Sequence, residues 1–433
     1  MIRPLRARLA ATSPYRRHAL VSSVTSVMLY GLGAVSGPII ARVLGPAGRG
    51  DIAAVMAPTT VLALVLAFGF PSAAAYFVDS VPESRLLLTA AAFGVLVGGP
   101  VCAVLWVLTP LYLSDHSGAT VTWARVFLTA MPLAVAMLAA LEVRRRQNPG
   151  LSWNCWRSAP LVIPTILIVV LALTDRLTVN SALAANFVGW LSPLVLFGSR
   201  LVPVRRAMGP SLATFRLMVP YAWRTASMVV AASLSYRLDQ VFLVAFVPPA
   251  DLGLYAVAVM VALLTNPLTS GLSGALFGHL RGETSEERAM ARFRQSLRLT
   301  LVLSSAVAVT LVVFAPVILR TVFGSAFTPA TTALRLLLPG AVAFDVQGVI
   351  TTKLLSDGRP GVASRGALLG AVITIVGLVT LAPRYGINAA AAVTSVAWIG
   401  QVLFLIGTGA LRSHSAGAPV LGDEDIALPP AAS

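Results

Sequence analysis

Apolar runs recur along the whole chain, each ended by glycine, proline or arginine. A helix needs about 20 apolar residues to cross a bilayer core at 1.5 Å per residue. Twelve runs meet or approach that length: 18–41, 52–78, 86–109, 123–141, 158–174, 181–198, 217–247, 254–277, 299–320, 331–354, 366–382 and 388–411. Pro38, Pro58, Pro132, Pro267 and Pro339 lie inside runs. Membrane helices accept such residues where neighbouring helices satisfy the released backbone groups. The pattern predicts an all-α polytopic membrane protein with twelve transmembrane helices and short outer loops.

Charge adds an orientation. Of 433 residues, 57% are apolar and 11% charged, where a soluble domain carries about 25% charged residues. The net charge is +16, and the basic residues gather in alternate loops. Arg3, Arg6, Arg8, Arg16 and Arg17 begin the chain, Arg144, Arg145, Arg146 and Arg157 follow, and then come Arg200, Arg205, Arg206 and Arg216. Arg281, Arg288, Arg292, Arg294 and Arg298 form a further cluster. Cytoplasmic loops of membrane proteins collect such residues, so both termini are expected in the cytoplasm and no nucleic-acid partner is implied. The first run is too long for a cleavable signal, with no clear small-residue cleavage site after it. Cys102 and Cys155 suggest no disulfide framework. The four histidines lack metal-ligand spacing and no phosphate-binding P-loop is present, so no catalytic residue, cofactor or metal is expected.

Two turns repeat. "VLGPAGRGDIAAV" (43–55) aligns with "FVPPADLGLYAVA" (246–258), setting Pro46 on Pro249, Ala47 on Ala250 and Gly50 on Gly253. Each follows the opening helix of a six-helix block. The expected layout is a basic cytoplasmic arm (1–17), an N-lobe (18–198), a cytoplasmic linker (199–216), a C-lobe (217–411) and a disordered tail (412–433). Two six-helix lobes around a central cavity form a recurring transporter plan. Gly45, Pro46, Arg49, Pro249, Asp251 and Gly253 are then turn residues at an outer gate, with Arg49 and Asp251 able to pair across it.

These stretches, with "YRLDQVFLVAFVPPADLGLYAVA", "VFGSAFTPATTALRLLLPGA" and "YGINAAAAV", resemble the polysaccharide-export branch of the multidrug/oligosaccharidyl-lipid/polysaccharide flippase superfamily. The resemblance spans about residues 18 to 411; "GRGD" stands where the family usually has an aromatic. It implies a multi-pass protein of the bacterial plasma (inner) membrane. Such a protein flips a lipid-linked oligosaccharide from the inner to the outer leaflet, in company with the bilayer and other polysaccharide assembly proteins.

Charges inside the runs are the candidate site. Each costs about 2.5–3.5 kcal/mol at the centre of a membrane helix, so it should face a cavity or a partner. Arg224, Arg237 and Asp239 lie on the seventh run, Asp345 and Lys353 on the tenth. Arg237 lies too deep to snorkel, whereas Arg224 reaches the interface. Arg237 and Asp239 point about 200° apart on a helix, so one would face the cleft and the other brace the lobe. Ser22, Ser26, Tyr30, Gly33 and Gly37 share one face of the first helix, and Arg42 sits at its outer end. Asp239 and Asp345 are candidates for ion coupling. A multidrug or small-solute antiporter of the same fold, and a membrane-embedded glycosyltransferase or polymerase, are the alternative readings.

Overall fold

The computed structural model describes residues 14–201, 209–266 and 285–409, with 269 and 276; the side chains of 14–24, 27, 30, 227–236 and 286 fall outside that description. Most of the N-terminal arm, most of the linker, the far half of the eighth run and the tail therefore lie outside the described residues, as do the side chains of Ser22 and Tyr30.

Every regular element among the described residues is helical. In chain order these are α1 (Pro14–Ala67), α2 (Phe70–Phe77), α3 (Glu83–Phe93), α4 (Gly99–Tyr112), α5 (Gly118–Ala130), α6 (Ala134–Gln147) and α7 (Leu151–Leu173). There follow α8 (Val179–Leu201), α9 (Leu212–Leu243), α10 (Pro249–Ala262), α11 (Glu286–Ile318), α12 (Thr331–Ser356) and α13 (Pro360–Gly407). Eight helical stretches among the described residues are long and apolar enough to cross a membrane. Two of these each contain two arms, because α1 bends at Gly45 (φ 68°) and α13 at Gly386 (φ 59°).

The bend at Gly45 corrects an expectation. The sequence suggests a loop over 42–51 and a helix from 52. Instead the reversal takes one residue, since glycine alone adopts this φ without strain. Pro46 then opens the second arm, where its missing N–H costs no hydrogen bond. Arg49 and Asp51 consequently sit on the first turns of a helix. Likewise the expected loop 321–330 is a π turn (Leu319–Phe323) followed by a 3₁₀ turn (Ser325–Ala330).

Contacts define two ends. The lower end holds Glu83, whose carboxylate accepts from Arg200 at 2.7 Å and from Gln147 at 3.0 Å. Arg146 pairs with Asp79 there at 2.9 Å. The upper end holds the Gly45 bend, the α4–α5 connection and the start of α10. By the distribution of arginines, the lower end is the expected cytoplasmic one.

The core is built from small and branched side chains. Tyr255, Leu334, Leu337, Ala390 and Trp398 are buried where α10, α12 and α13 meet, and Ala41, Ala53 and Ala54 of α1 join that cluster. A second cluster unites Phe70, Leu86, Val135, Ala139 and Leu196 of the N-terminal helices. The lower half of α9 belongs to it: Met218 and Ala222 are fully buried there, and Tyr221 stacks on Tyr76 with ring centroids 4.5 Å apart. The upper half of α9 instead packs on α13. This helix thus spans both halves of the chain, where the sequence places the seventh run wholly in the second.

Candidate functional site

Between the halves lies a cavity of about 470 Å³. Its walls come from both arms of α1, from α7, α8, α9 and α10, and from the π turn after α11. Gly33 and Gly37 of the first arm are among the lining residues. Most of the lining is aliphatic, with Ser36, Thr60, Thr165 and Asn186 as neutral polar groups.

Two arginines supply its charge. Arg49 enters from the second arm of α1 and Arg237 from α9. No carboxylate is among the lining residues described. The two guanidinium groups are near enough to repel. Arg237 donates from Nη1 to Gln240 Oε1 at 3.1 Å. The Nε of Arg49 and the Nε2 of Gln240 are buried and meet no acceptor among the described residues. A buried donor without an acceptor costs about 1–3 kcal/mol. An anion in the cavity would offset the repulsion between the two guanidinium groups.

The remaining candidates have other surroundings. Asp239 is buried beneath the lining: its carboxylate accepts from Tyr255 OH at 2.5 Å and from the Gln240 N–H at 2.8 Å, with Thr394 alongside. Asp345 is buried between helices, accepting from Ser304 at 2.6 Å and Asn266 at 3.1 Å. Neither lines the cavity. Ser26 accepts from Arg157 Nη2 at 2.8 Å. Arg224 is exposed towards the lower end. Lys353 pairs with Asp357, four residues on.

Above the cavity the halves touch. Gly50 and Gly253 face each other reciprocally. A Cβ on Gly50 would overlap the Pro249 carbonyl oxygen and fall 3.1 Å from the Gly253 nitrogen. A Cβ on Gly253 would overlap the Pro46 carbonyl oxygen and fall 2.9 Å from the Gly50 nitrogen. The two repeated turns thus meet through equivalent atoms. Arg42 donates from Nε to Val322 O at 2.9 Å and from Nη2 to Thr321 O, capping carbonyls at the end of α11. Tyr112 OH donates to Val241 O. No ion pair joins Arg49 to Asp251 among the described residues, because Arg49 turns into the cavity.

Sequence reasoning missed several of these groups. Gln240 was legible, being three residues after Arg237 on the same helical face. His116 was not: its Nδ1 lies 2.7 Å from Asp51 Oδ1, a contact between positions 65 apart that ties the repeated turn to the α4–α5 connection. No local pattern marks it.

Long apolar helices around an inter-half cavity define the class as a polytopic helical membrane protein. Residues 16–280 match the model of the polysaccharide biosynthesis protein family, so the chain belongs to that family. No curated protein matches the sequence. A solved structure of the lipid II flippase MurJ in an inward closed conformation is 14% identical, with a TM-score of 0.73 over 90% of this chain and 87% of that one. An inward-facing multidrug resistance MATE family transporter of the MOP superfamily is also 14% identical, with a TM-score of 0.71 over 92% of this chain and 100% of that one. A MOP superfamily transporter from Pyrococcus furiosus, described as having a binding pocket of reverse polarity, is 15% identical. Its TM-score is 0.62, over 91% of this chain and 93% of that one. At these identities the likeness is one of fold: the chain shares the helical architecture of these structures over most of its length.

Proposed function

We propose that this protein is a flippase for a polyprenyl-diphosphate-linked oligosaccharide or a related cell-envelope precursor. It carries the headgroup from the inner to the outer leaflet of a bacterial plasma membrane by alternating access. In this reading twelve helices form two lobes, both termini are cytoplasmic, and polysaccharide assembly proteins supply and consume the substrate. The observation that carries it is the sign of the cavity. Among the described residues its charged lining is arginine alone, which suits diphosphate and repels a cationic drug. A diphosphate cannot enter hydrocarbon bare, since desolvating it is prohibitive. Arginine stays protonated, and its planar fork matches phosphate oxygens. The lipid tail remains outside, between the lobes.

The drive is an ion gradient or the membrane potential. Asp239 and Asp345 are the groups proposed to couple it, each buried and hydrogen-bonded only to neutral donors among the described contacts. The test is accumulation in a deletion strain. Lipid-linked saccharide building up on the inner leaflet, and cleared by the wild-type gene, supports the reading. A strain that shows drug sensitivity without such accumulation contradicts it.

A further inference from the structure

Two arginines stand outside the cavity, on the apolar perimeter of the molecule. Arg125 lies on α5 and Arg335 on α12, both near the upper end. Each answers a proline. Pro110 in α4 has no N–H to give the Trp106 carbonyl, and Pro316 in α11 has none for Val312. In each case the carbonyl four residues earlier loses its helical partner. Arg125 Nε approaches Trp106 O at 3.4 Å, and Arg335 Nε approaches Val312 O at 3.2 Å. The same device, a proline, its orphaned carbonyl and an arginine from the next helix, therefore occurs once in each half of the chain. It extends the repeat seen at Gly50 and Gly253 to a second pair of positions.

The carbonyl engages only Nε. The terminal nitrogens of both arginines make no hydrogen bond to another described residue, and they are not buried. Their surroundings are apolar and exposed: Val104, Val107 and Leu111 on α4 are 59%, 68% and 78% exposed. Val309, Val313 and Val317 on α11 are 62%, 60% and 55% exposed. A face of this kind in a membrane protein meets lipid. A guanidinium held there needs an anion, and the bilayer offers phosphate at the headgroup level, within reach of a long side chain. Arg125 also stacks on the Trp106 ring, with Cζ 4.1 Å from its centroid. One turn further into the membrane a groove of about 350 Å³ opens between Gly99, Cys102, Ala103, Leu128 and Pro132, shaped for an acyl chain.

We propose that Arg125 and Arg335 are a repeat-related pair of binding positions for the phosphate of bilayer glycerophospholipids, one on each half of the chain. The proline-released carbonyl fixes the guanidinium, and the fork faces the headgroup. The inference does not depend on the transported substrate.

Native mass spectrometry of the purified protein, titrated with phosphatidylglycerol, tests it. Arg125→Gln and Arg335→Gln should each weaken one tightly held lipid about tenfold, the scale of one charge-assisted pair, and the double variant should weaken two. Uncharged diacylglycerol should bind all forms alike. Since the glutamine variants also strand a carbonyl, Pro110→Ala/Arg125→Gln and Pro316→Ala/Arg335→Gln restore its helical partner. They should regain thermal stability without regaining the lipid. Wild-type lipid affinity in the double glutamine variant would overturn the proposal. So would lipid binding restored by the proline reversals, because the arginines would then serve only the carbonyls.

Discussion

Arg237 is the residue whose position and chemistry coincide. It lies in the cavity lining, six positions below the end of α9, about 9 Å along the helix. A charge at such depth is costly unless it is used. Its bond to Gln240 holds one terminal nitrogen, and Arg49 lines the same cavity. Arg237→Ala should therefore lower export of lipid-linked saccharide by at least about tenfold, the worth of one charge-assisted contact, with the amount of protein in the membrane unchanged. Arg237→Lys should recover part of the loss, because a point charge attracts phosphate without matching its fork. Quantifying surface polysaccharide against membrane protein level checks this. Normal export by the alanine variant would remove Arg237 from the substrate path.

At the scale of elements, the helices were legible because their apolar runs exceed any polar interruption. How they connect was not. The turn at 42–51 reads as a loop because it is crowded with glycine and arginine, yet one residue at Gly45 makes the reversal and frees Arg49 to enter the cavity. The lower half of α9 joins the first half of the chain through Met218, Ala222 and Tyr221, an attachment that depends on long-range packing no local pattern reveals. The repeat itself was legible in Pro46/Pro249 and Gly50/Gly253, but not that these residues touch. That contact makes a prediction. Gly50→Val or Gly253→Val places a side chain against backbone, which cannot give way as a flexible side chain can. Either variant should hold the upper end apart and slow export several-fold, since interior overpacking costs about 1–3 kcal/mol. Cysteines at the exposed Ala47 and Ala250 should crosslink less readily in these variants. Gly118→Ala, where an added Cβ meets nothing within 4 Å, should leave both readouts unchanged. Equal crosslinking in all three would show that the two turns are merely neighbours.

The molecule as a whole joins a closed upper end to an arginine-lined cavity beneath it. Gly50 on Gly253, Arg42 on the end of α11 and Tyr112 on α9 all bridge the halves at that end. Alternating access would break these contacts together and remake others below. On the proposed function, an anionic lipid-linked sugar crosses through this cavity, its headgroup drawn by the arginines of the lining and its tail left in the bilayer. The most direct measurement of that crossing uses purified protein in proteoliposomes loaded with a fluorescent polyprenyl-diphosphate saccharide. Appearance of the sugar in the opposite leaflet is read by an impermeant glycosidase, under an imposed membrane potential or ion gradient. Wild-type protein should expose the substrate faster than empty liposomes, and Arg49→Gln/Arg237→Gln should fall to the empty-liposome rate while remaining folded. Equal flipping by that double variant, or none by the wild type while a cationic dye is carried instead, would contradict the account.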